Sequence, residues 1–95
     1  MDYSQEQLQK IEQLALILTP ASEISALLEL KNEDEFLLDI ATKGSPARAA
    51  FMRGMAKTAN ELREKNIELA NACAPSAIEQ CFHDLKHMMN DLDRV

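Results

Sequence analysis

Apolar residues recur at intervals of three and four along most of the chain and nowhere alternate with period two for more than a few residues. That spacing predicts helices and no strands. Leu8, Ile11, Leu14, Ala15 and Leu18 mark a first helix, and Ser4 with Gln7 three residues on has the spacing of a capping box at its start. Thr19-Pro20 ends that helix and opens a second, with Thr19 as N-cap and Pro20 at the first helical position. The second helix carries Ile24, Leu27 and Leu28 and stops near Leu30. Asn32 caps a third, whose first turn is Glu33-Asp34-Glu35 and whose apolar face is Phe36, Leu37 and Ile40. Gly44 fits the C-terminal cap of this helix.

Ser45-Pro46 starts a much longer fourth helix, in which Gly54 is the one breaker before Pro75. Ser76 and Glu79 repeat the capping-box spacing and open a fifth helix reaching about Asp93. Both helices carry a seam stepping by three and four. In the fourth it is Met52, Met55, Ala59, Leu62, Asn66, Leu69 and Cys73; in the fifth, Ile78, Cys81, Leu85, Met88, Leu92 and Val95. Two such seams joined at Ala74-Pro75 predict an antiparallel hairpin with coiled-coil-like packing. At 1.5 Å per residue the fourth helix runs roughly 42 Å and the fifth less than about 30 Å. Part of the longer seam therefore has to be covered by the first three helices or by another subunit. Asn66, a polar residue between Leu62 and Leu69, is of the kind that fixes register or oligomer state on such a seam. A homo-oligomer is the expectation, because an open apolar stripe on an isolated chain is a liability.

The predicted fold is thus all-α. At 95 residues the chain is read as one domain, 1–95, with a helix-turn-helix-like part over 1–44 and a helical hairpin over 45–95. Composition changes little in this picture: 46% hydrophobic and 27% charged residues are ordinary for a globular chain. No apolar run approaches the ~18 residues of a membrane span, and the opening Met1-Asp2-Tyr3-Ser4-Gln5-Glu6 has no signal-peptide pattern. Cys73 and Cys81 do not make a disulfide framework, so a cytoplasmic protein with reduced thiols is expected.

Charge changes the picture more. The formal net charge of −6 argues against a general nucleic-acid binder. Residues 1–44 carry three lysines against nine acids, whereas residues 45–75 carry five basic groups against three acids. Lys43, Arg48, Arg53 and Lys57 form the basic cluster, with Arg53 and Lys57 four apart on one helix face. They are read either as a phosphate contact or as a solvated face paired with acids such as Glu61. His83 and His87, also four apart, can grip a transition metal, or they are simply a polar helix edge. The chain has no Gly-rich phosphate loop and no paired-carboxylate arrangement. Cys73 and Cys81 read as small core residues rather than nucleophiles. Neither catalysis nor a cofactor is expected.

Residues 19–41 have the layout of a helix-turn-helix, with Glu29 where the turn commonly has glycine. The second helix of that unit carries Glu33, Asp34, Glu35 and Asp39 and no basic residue, which opposes entry into a DNA groove.

Three stretches together resemble the small terminase subunit of tailed bacteriophages or a related prophage DNA-packaging protein. They are Glu23-Ile24-Ser25-Ala26-Leu27-Leu28-Glu29-Leu30, Phe51-Met52-Arg53-Gly54-Met55-Ala56, and Ile67-Glu68-Leu69-Ala70 followed by Ala74-Pro75-Ser76-Ala77-Ile78. The resemblance covers about residues 8–92. It implies an N-terminal helix-turn-helix that helps recognise double-stranded DNA, and self-assembly into rings that present the DNA to a large terminase subunit. The alternative is a helical module that binds only protein, through the uncovered part of the fourth helix.

Overall fold

A computed structural model of the protein describes residues 2–92. Asp93, at the expected end of the fifth helix, and Val95, on its seam, lie outside the described residues. The fold is all-α, with five helices and no strand among the described residues: α1 (Gln5–Leu16), α2 (Ala21–Leu27), α3 (Glu33–Ala41), α4 (Pro46–Asn71) and α5 (Pro75–Leu92). By compactness the chain divides into two units at Thr58 and Ala59, within α4.

The first unit has a core. Ile11 of α1, Ile24 of α2, Phe36 of α3 and Ala47 and Ala50 of α4 are fully buried together. Leu8, Leu14, Leu28, Leu30, Ile40 and Phe51 pack around them. The Tyr3 ring meets Phe36 edge-on, centroids 6.2 Å apart, and its hydroxyl donates to Asp39 Oδ2 at 2.7 Å. Leu37, expected on the apolar face of α3, is exposed at 36%; α3 turns Phe36 and, one turn on, Ile40 to the core.

The helix ends follow from local chemistry. Ser4 and Gln7 form the expected capping box, and the Asn32 side chain accepts from the Glu35 N–H at 3.1 Å. Three helices end in the same left-handed turn. After α1, the N–H of Leu18 donates to the Ala15 carbonyl (2.9 Å) and that of Thr19 to Leu14 (3.0 Å). After α2, Glu29 donates to Ala26 (3.1 Å) and Leu30 to Ser25 (3.1 Å); after α4, Cys73 donates to Ala70 (2.9 Å) and Ala74 to Leu69 (3.0 Å). These paired bonds are Schellman motifs, which place the first residue past the cap at positive φ, the usual place of glycine. Here the residues are Leu18, Glu29 and Cys73, at φ of 66°, 54° and 65°.

This motif displaces two expected caps. Thr19 closes α1, so Pro20 takes the N-cap of α2, extended at φ −62°, ψ 151°, with no side-chain bond. Ala74 closes α4 and also accepts the Ile78 N–H at 3.1 Å, so α5 begins at Pro75, and Ser76 lies inside its first turn. Gly44 is not the cap of α3 either. That cap is Thr42, whose hydroxyl donates to the Leu38 carbonyl at 2.7 Å; Gly44 lies in the turn beyond, at φ 87°.

On α4 the buried residues are Ala47, Ala50 and Gly54, small side chains offset from the expected seam. Met52 is exposed and Met55 half-buried. The offset has a cause in backbone distance. A Cβ on Gly54 would lie 2.9 Å from Ala15 Cβ, 3.0 Å from Leu16 N and closer still to the Glu12 carbonyl oxygen. The two helices approach closely enough there that large side chains have no room.

The second unit is a helical hairpin with almost no core: Ala77 is its one buried residue among those described. Asn66 and Ala70 of α4 and Ile78, Cys81 and Asp84 of α5 are half-buried. The less exposed positions of the two helices are therefore mostly small or polar, with Ile78 the one large apolar side chain among them, and Asn66 lines an open cleft together with Ala77 and Gln80.

Candidate functional site

The basic cluster is built around a carboxylate. Glu12 of α1 accepts from Arg53 Nε at 2.7 Å and from Lys57 Nζ at 3.2 Å, both on α4 one turn apart. Gly54 makes this possible, because the bare backbone lets α1 come within reach of two consecutive turns of α4. The bonds from Arg53 and then Lys57 hold the Glu12 carboxyl below its usual range. Next to them the Thr58 hydroxyl donates to the Leu16 carbonyl at the last turn of α1. The acid that pairs with these cations is thus Glu12, from the opposite end of the sequence, and not Glu61.

Arg48 has a different partner. Its Nη1 donates to the Ile40 carbonyl at 2.8 Å, so a cation sits on the last turn of α3, where the helix dipole favours it. Lys43 is exposed in the turn before α4. The four basic residues do not form one open patch: two share a carboxylate, one caps a helix end and one stands in a turn.

On the helix-turn-helix-like part, Glu33, Asp34 and Glu35 occupy the first turn of α3, where carboxylates favour the dipole. Asp39 accepts the Tyr3 hydroxyl. Burial and this bond to Asp39 push the Tyr3 phenol well above its ordinary range. His83 and His87 are exposed on α5, and among the described residues no three His, Cys, Asp or Glu side chains converge as metal ligands do.

The hairpin carries the feature with the largest physical consequence. Leu62, Ile67 and Leu69 of α4 are about half exposed, as is Leu85 of α5. Phe82, Met88, Met89 and Leu92 of α5 are exposed still further, between 59% and 70%. An open groove on one side is lined by Asn60, Arg63 and Ile67 from α4 and by Cys81, Leu85 and Met88 from α5. Of the expected seam, Ala59 and Asn66 are half-buried, while Leu62 and Leu69 stay open to solvent. No signal in the residues near Glu12 marks its role, since its partners lie 41 and 45 positions away.

No helix among the described residues is long and apolar enough to cross a membrane. None of the family models, curated proteins or solved structures compared with the chain matches it.

Proposed function

We propose that the protein is a non-enzymatic helical interaction module that binds protein through its hairpin, residues 59–92. The observation that carries this reading is the imbalance within that unit: eight large apolar residues stand 48% or more exposed, while among the described residues of the unit only Ala77 is buried. A surface of that kind marks a protein contact. The charge arrangement agrees, because Arg53 and Lys57 are paired with Glu12 and Arg48 donates to a carbonyl, so three of the four clustered cations already have partners within the chain.

A second reading is a packaging component of small-terminase type: a homo-oligomer contacting double-stranded DNA and a large terminase subunit. It draws on one observation, the α2–turn–α3 unit, whose turn residue Glu29 has the left-handed conformation that glycine supplies in such turns. A titration with double-stranded DNA in moderate salt decides between the two. The interaction reading expects nothing tighter than non-specific binding, about 10⁻⁴ M or weaker for an acidic chain. Micromolar binding that Arg53→Glu with Lys57→Glu abolishes overturns it in favour of the second.

A further inference from the structure

Helix α5 carries more apolar surface than its neighbour α4 covers. Ala77, Cys81 and Asp84, with Ile78 at their edge, are the less exposed positions and mark the side toward α4. Beside them runs a second stripe, Ile78, Phe82, Leu85, Met89 and Leu92, stepping by four, three, four and three and so lying on one face of the helix. Phe82 is 69%, Met89 59% and Leu92 70% exposed. A helix with two such stripes is made for two neighbours, and the hairpin supplies one.

We propose that the second neighbour is α5 of another copy of this chain, the two helices antiparallel about a two-fold axis. This deepens the interaction reading above and rests on it. Two observations choose a second copy. The first is charge. Glu79 follows Ile78 and Lys86 follows Leu85, so both flank the stripe on the side away from α4, and both are exposed. Antiparallel pairing sets Phe82 against Leu85 and Ile78 against Met89 of the other copy, which brings Glu79 of each chain beside Lys86 of the other. The two-fold makes that pair twice, and such an isologous contact closes on itself. In a parallel pairing the same flanking positions meet Ala74 and Cys81 of the other copy, and no charge pair forms. The second is area. The stripe has Phe82, Leu85, Met89 and Leu92, each between 48% and 70% exposed, in succession along α5, the kind of continuous apolar row on which a homodimer contact of about 800 Å² per partner is built.

The test is the mass of the full chain by sedimentation equilibrium from micromolar to millimolar concentration. The expected result is twice the 10.7 kDa chain mass at the upper end. Glu79→Lys alone and Lys86→Glu alone each turn two attractions into repulsions and should weaken the dimer roughly tenfold. The double variant should recover most of that loss, and Phe82→Asp should give a monomer. All these positions are exposed, so circular dichroism should be unchanged. A monomer at every concentration, or an oligomer indifferent to both charge reversals, overturns the proposal. The first result leaves the interaction reading standing with a different partner and the second with a different self-contact, whereas DNA binding lost in the Arg53 and Lys57 reversal overturns that reading whatever the mass.

Discussion

At the scale of single residues, Glu12 ties α1 to α4 by a pair of charged hydrogen bonds formed across most of the first unit's sequence. Its carboxyl is held below the usual range, so its contribution to stability is present at pH values above the ordinary carboxylate pKa. That contribution is lost as pH falls through the lowered value. Glu12→Gln should therefore lower the thermal midpoint slightly at neutral pH, and the gap to the parent should close in acid. The effect should shrink with added salt, because Arg53 and Lys57 are more than half exposed. A melting series over pH at two ionic strengths checks this; a gap that widens in acid contradicts it. Tyr3 makes the mirror case. Its phenol is pushed up, so its share of stability holds below pH ~10 and is lost above it. Tyr3→Phe should cost about 1 kcal/mol at neutral pH by removing the donor to Asp39.

At the scale of elements, the close crossing of α1 and α4 reverses an ordinary expectation. Glycine to alanine within a helix normally gains about 1 kcal/mol. Gly54→Ala should instead lose about 2–3 kcal/mol, because the new methyl meets the Ala15 Cβ and the backbone of Glu12 and Leu16, none of which can swing aside. Chemical denaturation of the variant gives the sign directly. Gly54 also shows where sequence reading reaches and where it stops. A glycine inside a long helix already signals close approach of another backbone, and Ser4, Gln7 and Asn32 disclose two helix starts because a cap acts over three residues. The buried stripe of α4 is less legible. A spacing of three and four runs through Met52 and Met55 as well as through Ala47, Ala50 and Gly54, and hydropathy favours the methionines. Packing favours the small residues, since only they admit α1 and Phe36 so near the α4 backbone. Thr19 and Ser76 mislead for a related reason: each follows a helix whose closing turn uses the residue or its neighbour first.

At the scale of the whole molecule, the excess length of the fourth helix over the fifth points to uncovered surface on α4, whereas the most exposed apolar residues of the hairpin, Phe82, Met88, Met89 and Leu92, lie on α5. The pairing of Glu12 with Arg53 and Lys57 could not be read in advance, because it joins positions that only the fold brings together. Asn66 offers a test of the hairpin's own economy. It is half-buried on a cleft that Ala77 and Gln80 also line, so Asn66→Leu should raise the thermal midpoint, while any change in mass would tie the residue to assembly. The three left-handed turns at Leu18, Glu29 and Cys73 bear on how this sequence can change over generations. Each gives up about 1 kcal/mol that glycine would not, and the three lie in separate turns, so the gains from replacing them should add. The chain therefore holds unspent stability at positions away from its core. A selection for second-site revertants of a damaged first unit, such as one carrying Gly54→Ala, should return Glu29→Gly repeatedly. Every glutamate codon is a single base change from glycine, while no leucine codon at position 18 is.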